Sequence, residues 1–284
     1  MDSFSYGKGG LRIEGVLATD IAGAVGTPAY VYSAQTVRDH YRRLDAAFSG
    51  VPHIVCFSIK SNSCLAILKL LAKEGSGFDV VSGGELFRAI RAGADPKKIV
   101  FAGVGKSDEE IETALKAGIL MFNVESEEEL ANIDKIAGGL SCVAPVALRL
   151  NPDVDPHTHG YISTGKIENK FGLDLKRAGE LVAAAERFRN VRIIGVHVHI
   201  GSQITEVEPY AEALDRVGEF LRRHRSGRAP MEYLDAGGGF GIFYRGGEAQ
   251  PAEAFAHVIV PRIEKPVSYT HLRAHETPEH LVCR

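Results

Sequence analysis

The chain has 284 residues, of which 45% are hydrophobic and 24% charged, a composition typical of a globular protein with one large domain or two small ones. Its formal net charge is only -3 and it has no basic stretch, which argues against nucleic acid as a partner. The N-terminus lacks the apolar core of a signal peptide, and no run reaches the roughly 18 apolar residues that a membrane-spanning helix needs, so we expect a cytoplasmic protein without a membrane partner.

Short β-branched runs alternate with helical patterns along the chain, as is typical of a parallel α/β fold. An extended piece at Ala29–Tyr32 and a helix at Ala34–Phe48 come first. The strand–helix repeats that follow fit a TIM-type (β/α)₈ barrel that lacks its eighth strand better than a doubly wound sheet. The predicted strands are Ile54–Ile59, Phe78–Val81, Ile99–Ala102, Leu120–Val124, Pro145–Leu150, Ile193–Ile200 and Glu232–Asp235, and the predicted helices between them are Ser63–Lys73, Gly84–Arg91, Ser107–Ala117, Ser126–Ala137, Lys176–Phe188 and Val207–Arg225.

Apolar and polar side chains alternate within the predicted strands. In the sixth strand Val196 and Val198 oppose His197 and His199. A barrel with helices outside and a functional lumen inside produces this alternation, because successive side chains point to opposite faces. The polar faces then end at the C-terminal mouth, where barrel enzymes keep their chemistry. The same alternation in the first strand sets Val55, Phe57 and Ile59 against Cys56, Ser58 and Lys60.

Lys60 ends the first predicted strand on its small-residue face. A lysine in this position can reach a ligand at the mouth and form a Schiff base with it. A solvated surface lysine is the alternative interpretation, and it is the commoner case for a single lysine.

Three consecutive glycines, Gly237, Gly238 and Gly239, directly follow the seventh predicted strand. Consecutive glycines expose backbone N–H groups and let a phosphate approach closely. The loops after strands seven and eight are the usual phosphate site of barrels. A flexible turn is the alternative, whereas a dinucleotide fingerprint is excluded because no βαβ unit with a ribose-binding acid follows.

Two histidines, His197 and His199, end the sixth predicted strand. Such a pair can bind metal as in barrel hydrolases, one imidazole can stack on a flat ring, or a histidine can be a hydrogen-bonded core residue. The adjoining Ser202 suggests a further phosphate contact. Metal binding also needs ligands on other strands, where only Asp235 stands out, so we expect no metal.

Two carboxylates, Asp79 and Glu85, lie around the end of the second predicted strand. Glu85 near a helix start could simply favour the helix dipole. Asp79 on a strand needs a partner if it is buried. Arg149, on the small-residue face of the fifth strand, could be that partner.

The tail after Pro266 sustains neither a strand nor a helix period, although an eighth strand is due there. We therefore expect three parts: an N-terminal segment at residues 1–28, an incomplete barrel at 29–265, and an aberrant, non-native tail at 266–284.

Together these motifs resemble the alanine-racemase-like family of pyridoxal-phosphate enzymes, from about Gly26 to Pro261. The resemblance implies that Lys60 forms a Schiff base with pyridoxal 5'-phosphate and that His199 stacks on its ring. It further implies that Ser202 and the glycines, Gly239 above all, hold the phosphate. The residues assigned to cofactor binding in this way are Lys60, His199, Ser202, Gly237, Gly238, Gly239, Asp79, Glu85 and Arg149, the last three as supports of Lys60 and the ring.

The segment His159–Gly165, continuing to Asn169–Gly172, is most similar to the branch of this family that decarboxylates meso-diaminopimelate to lysine and CO₂. The resemblance implies a small-molecule amino-acid substrate and, in complete family enzymes, a homodimer with a C-terminal β domain. The Glu-Pro-Gly-Arg segment of the family's eighth strand does not occur in these 284 residues, so we expect the β domain to be absent and the chain by itself to be inactive. The alternatives are a decarboxylase of another basic amino acid or polyamine precursor, a non-catalytic cofactor-binding barrel, and a metal-dependent hydrolase using His197 and His199.

Overall fold

The computed structural model describes residues 3–154, 171–224, 229–241, 250–264 and 271–276. It begins with a small antiparallel sheet of three strands, β1 (Phe4–Gly7), β2 (Gly10–Ile13) and β3 (Val16–Leu17), followed by helices α1 (Ala18–Val25) and α2 (Ala34–Ala47). Glu14 ties this sheet to the start of α2, because its carboxylate accepts from the Ser33 hydroxyl and the Gln35 N–H, both at 2.7 Å.

The main body is a parallel sheet that closes on itself into an eight-stranded barrel. Every strand predicted from the sequence is present within a few residues of its predicted bounds, so the TIM-type barrel is confirmed. The barrel strands are β4 (Val55–Ser58), β5 (Gly77–Val80), β6 (Ile99–Phe101), β7 (Met121–Val124), β8 (Ala144–Asn151), β10 (Val191–Val198), β11 (Tyr233–Asp235) and β12 (His271–Glu276), while the short β9 (Leu173–Asp174) pairs with the end of β8.

Helices cover the outside of the barrel, and several begin at a serine whose side chain accepts the N–H three residues on. Ser82, Ser107 and Ser126 are such caps, and capping of this kind fixes where a helix starts. No helix in the described ranges has both the length and the apolar character needed to cross a bilayer. The helices are α3 (Leu65–Glu74), α4 (Gly83–Ala92), α5 (Asp108–Ala117), α6 (Glu127–Gly139), α7 (Leu175–Ala183), α8 (Glu208–His224) and α9 (Ala252–Glu264).

Strand β12 fills the eighth position of the barrel. Leu272 is the Cα partner of Leu234 in β11, and Ala274 is that of Val55 in β4. The prediction that the barrel lacks its eighth strand is corrected here, because residues 271–276 pair at that position. The non-native origin of the tail at 266–284 stays a prediction. The sequence argument required an apolar strand pattern, but parallel pairing is made by backbone N–H and C=O groups, which any non-proline residue supplies.

Two hydrophobic clusters lie on the two sides of the barrel sheet. The larger one, between sheet and helices, includes Val55 and Phe57, which confirms the alternation predicted for the first strand. The smaller one fills the lower part of the lumen. It consists of Cys56, Val100, Leu120, Met121, Ala147 and Ile194.

Candidate functional site

Polar side chains lie above this inner apolar cluster, at the carboxyl ends of the barrel strands. The strand register places them at similar heights, since Ser58 is the Cα partner of Asp79, and His197 is the partner of both Arg149 and Asp235. Ser58, Asn123 and Arg149 each follow a member of the inner cluster by two residues and so face the lumen. The polar side chains at the carboxyl ends of the barrel strands are Ser58, Asp79, Asn123, Arg149, His197 and Asp235.

Lys60 lies at the barrel mouth and is exposed. It follows the inward-facing Ser58, the last residue of β4, by two residues. Asp79 is buried beneath it and accepts a hydrogen bond from the Ser58 hydroxyl at 2.9 Å. The predicted site lysine is thus exposed to solvent at one end of the lumen, where a ligand could reach it.

Glu85 completes a group of charges with Lys60 and Asp79. Its carboxylate accepts the Val81 N–H at 2.8 Å, across the start of α4. The pKa of Glu85 is raised, mainly because its carboxylate is buried, and the negative charge of Asp79 raises it further. The Val81 hydrogen bond and the positive charge of Lys60 act in the opposite direction. Asp79 and Lys60 therefore both lie close enough to act on the charge of Glu85.

Arg149 forms an ion pair with Glu125, whose Oε1 lies 2.8 Å from Nη1. The pairing of Arg149 with Asp79 stays a prediction. Glu125 directly follows β7, which is paired with β8, the strand that carries Arg149. Nearest neighbours in a sheet meet across adjacent strands.

Asp235 is fully buried and fixes the start of the glycine loop. Its Oδ1 accepts the Gly237 N–H and its Oδ2 accepts from the Asn123 side chain, both at 2.9 Å. His197 Nε2 lies 3.9 Å from the same Oδ2. Among the described residues, no three His, Cys, Asp or Glu side chains come together in an arrangement suited to a metal ion.

The glycine loop and the end of β10 are in close backbone contact. Gly237 and Gly239 have φ angles of +71° and +93°. A Cβ at Gly239 would lie 2.1 Å from the Gly201 oxygen and 3.1 Å from Ser202 Cα, and one at Gly237 would lie 3.3 Å from His199 Nδ1. The structure thus brings the predicted glycines together with His199 and Ser202.

Hydrogen bonds hold the glycine loop in place. The Tyr210 hydroxyl donates to the Gly238 oxygen at 2.6 Å, and the Ile204 N–H donates to the Gly239 oxygen at 2.9 Å. A flexible turn does not describe a buried loop that is bonded to two neighbouring segments. The glycines are required by this close packing whether or not a phosphate binds.

Two inward-facing residues near the site, Asn123 and Glu125, were not predicted. Asn123 Oδ1 and Glu125 Oε2 are buried and accept no hydrogen bond from the described residues. Both lie an even number of residues after Met121 of the inner cluster, so strand alternation was a signal that could have found them. Buried acceptors without a donor are rare in folded proteins and point to a polar ligand.

The segment used to predict the substrate branch lies mostly outside the described residues. This applies to His159–Gly165 and to Asn169 and Lys170, while Phe171 and Gly172 are described.

Comparisons with known proteins agree with one another. The family described as pyridoxal-dependent decarboxylase, pyridoxal binding domain, matches residues 34–277. The chain is 45% identical over 263 residues to the diaminopimelate decarboxylase of Pseudomonas aeruginosa and 43% identical over 264 residues to that of Haemophilus influenzae, each match covering 93% of this chain. It spans 63% and 64%, respectively, of the length of these two relatives.

A solved structure shows the same likeness in three dimensions. The diaminopimelate decarboxylase of M. jannaschii, in complex with L-lysine, superposes with a TM-score of 0.88 at 37% identity. The match covers 97% of this chain and 66% of that chain.

Proposed function

Since this chain belongs to the family of pyridoxal-dependent decarboxylases, we propose that its barrel mouth binds pyridoxal 5'-phosphate and that the complete protein converts meso-diaminopimelate to lysine and CO₂. One observation carries the proposal: an exposed lysine near two carboxylates and a buried glycine loop lie at the same mouth of the barrel. The relatives that match most of the chain carry the name of this activity.

The residues present fit the cofactor. The exposed ε-amino group of Lys60, once deprotonated, can attack a carbonyl carbon, and the glycine loop offers backbone N–H groups to a phosphate. In the described residues, none of the hydrogen bonds uses the N–H of Gly238 or Gly239, so both are available as donors. The buried oxygens of Asn123 and Glu125 provide acceptors nearby.

Each residue then has a role. Lys60 would hold the cofactor covalently through its ε-amino group, with Asp79 and Glu85 balancing its charge. His199 would pack against the flat ring, Arg149 would donate to its polar edge, and the phosphate would lie on Ser202 and Gly237–Gly239. When bound, the cofactor supplies a conjugated ring that accepts the electron pair left by departing CO₂.

Two further properties belong to the proposal. We expect the complete protein to be a homodimer and to act in the cytoplasm. The substrate is proposed as meso-diaminopimelate rather than another basic amino acid, because the matching relatives and the solved structure named above are diaminopimelate decarboxylases.

The decisive experiment tests covalent binding. The 284-residue chain is mixed with pyridoxal 5'-phosphate and reduced with borohydride, and the labelled peptide is mapped. We expect the label on Lys60 and its loss in Lys60→Ala. Lys106 is the internal comparison, because its buried ammonium is already bound to the carbonyls of Gly103 and Asn123. A label on Lys69, or none at all, contradicts the proposal.

A second experiment tests substrate choice. Addition of meso-diaminopimelate should change the absorbance of the bound cofactor at lower concentration than ornithine or arginine does. A stronger response to ornithine or arginine would replace the proposed substrate and leave cofactor binding in place. We expect no CO₂ release by the 284-residue chain alone, since its sequence has no Glu-Pro-Gly-Arg segment.

A further inference from the structure

We propose that Glu125 is a positioning residue that fixes the Arg149 guanidinium at the barrel mouth. This rests on the proposed function, in which Arg149 contacts the cofactor. In that proposal Glu125 provides only a nearby acceptor, and its effect on Arg149 is not part of it.

The ion pair is buried and directional. The Glu125 side chain is 7% exposed and that of Arg149 is 14% exposed. Asn123 is the Cα partner of Ala147, so Glu125 stands beside Arg149 on the adjacent strand. A buried charge is strongly destabilised when its partner is removed, so each side chain holds the other in place.

A second contact restrains Arg149 from the direction of β9. Its Cζ lies 5.5 Å from the centre of the Phe171 ring. A Cβ on the next residue, Gly172, would lie 2.8 Å from the Arg149 oxygen and 3.1 Å from its Cγ, so this chain segment packs directly on the arginine. With Glu125 bound to one nitrogen and Phe171 against the guanidinium, few orientations of Arg149 remain.

The backbone of Glu125 is also held. Its N–H donates to Glu129 Oε2 at 2.8 Å, and Glu129 Oε1 forms an ion pair with the buried ammonium of Lys106. Lys106 also donates to the Asn123 and Gly103 oxygens, both at 2.8 Å. The loop from which Glu125 projects is therefore tied to the neighbouring strand end.

The other carboxylate oxygen of Glu125 distinguishes this pair from an ordinary structural one. Oε2 is buried and accepts no hydrogen bond within the described ranges. A carboxylate whose only role is to neutralise an arginine is usually satisfied at both oxygens. Glu125 Oε2 therefore remains able to accept a hydrogen bond from a polar ligand.

The test compares Glu125→Gln with Glu127→Gln in the full chain. Glutamine keeps the shape and the Oε1 acceptor of Glu125 but removes its charge. Glu127 is the matched control because it lies two residues away and loses ion pairs with Arg177 and Arg187 on the outside of the barrel. The first measurement, without cofactor, is the rate at which phenylglyoxal modifies Arg149, followed by peptide mapping. The second is the dissociation constant of pyridoxal 5'-phosphate and the pH dependence of its bound absorbance.

In Glu125→Gln, we expect Arg149 modification to rise by about threefold or more and cofactor affinity to fall by about tenfold, with a shifted pH midpoint of the absorbance. Glu127→Gln should resemble the wild type in all three. An unchanged modification rate in Glu125→Gln overturns the proposal, and so does a raised rate with unchanged affinity and pH midpoint, which indicates a purely structural pair. A wild-type chain that binds no cofactor would overturn the proposed function instead, and the modification rate would still decide whether Glu125 positions Arg149.

Discussion

At Gly239 two loop backbones come so close that no side chain fits between them. The residue has φ +93°, and an added Cβ would lie 2.1 Å from the Gly201 oxygen. We expect Gly239→Ala to lower the free energy of unfolding by at least about 1–3 kcal/mol, because the new methyl meets backbone rather than a movable side chain. Urea denaturation of the cofactor-free chain measures this.

Gly139→Ala is the control for Gly239→Ala. Gly139 ends α6, lacks a positive φ and has open space where a Cβ would be, so alanine there should be neutral or slightly stabilising. Equal stability of the two variants would show that the glycine loop is looser than the structure indicates.

Glu85 is expected to lower stability at neutral pH. Burial raises the pKa of Glu85 in the folded state. Its contribution to the free energy of unfolding is therefore fully present below its pKa in the unfolded state, and it is lost as pH rises through its pKa in the folded state. Glu85→Gln, whose amide oxygen can still accept the Val81 N–H, should therefore gain stability relative to the wild type between about pH 4 and pH 7. Urea denaturation across this range checks the trend.

Glu110→Gln provides the opposite trend. Hydrogen bonds from the Gly83 and Ser107 N–H groups lower the pKa of Glu110, so its contribution is present above the unfolded pKa and is lost as pH falls through the folded one. This variant should lose stability relative to the wild type as pH rises through the acid range. If stability relative to the wild type changed with pH in the same direction in Glu85→Gln and Glu110→Gln, the burial of Glu85 or the hydrogen bonds of Glu110 would not be as described.

The roles of the predicted site residues stay predictions. Strand alternation put Lys60 and Arg149 on the small-residue faces of their strands, but it gave no contacts. It could not show that Arg149 would meet Glu125, because the nearest neighbour depends on strand order and register rather than on spacing along the chain. The sequence also could not distinguish a glycine that binds phosphate from one required by packing, because both positions require a residue without a Cβ atom.

Two helices share one cap on the outer surface of the barrel. Glu110 completes the capping box of α5 with Ser107, and its Oε1 also accepts the N–H of Gly83, the first residue of α4, at 2.7 Å. We expect Glu110→Ala to lower the free energy of unfolding by about 1–2 kcal/mol at pH 7, because two helix starts lose an acceptor. Chemical denaturation measures the loss.

Glu109→Ala is the matched change for Glu110→Ala, since Glu109 is an exposed residue of the same first turn. It should alter stability by less than about 0.5 kcal/mol. A comparable loss in both variants would assign the effect to charge in the first turn rather than to the shared cap.

The elements with a clear local pattern were predicted well. Short β-branched runs alternating with helical patterns predicted the repeats from β4 to β11 with the intervening helices. Helix α9 was missed, and it contains Pro261, which usually argues against a helix interior. Strand β12 was missed because its own sequence has no strand pattern. Its pairing is favoured by the backbone N–H and C=O groups that β11 and β4 would otherwise leave without a partner strand.

Closure of the barrel depends on β12, which pairs with β11 and β4. A chain ending at Glu264 should expose both of these strands as edges and aggregate, whereas a chain ending at Glu276 should stay monodisperse. Size-exclusion chromatography at matched concentrations compares them. If the chains ending at Glu264 and Glu276 aggregated to the same extent, the eighth strand would contribute little to the fold.

The thiol of Cys56 lies at the seam that β12 closes, as the Cα partner of His275, and it is 0% exposed. A thiol reagent can therefore reach it only during the moments when the barrel opens, while the exposed Cys64 reacts without such a delay. When closing is fast, the ratio of the two labelling rates equals the fraction of time that the barrel spends open. That fraction should fall when pyridoxal 5'-phosphate occupies the mouth, because a ligand that binds only the closed barrel draws the equilibrium towards it.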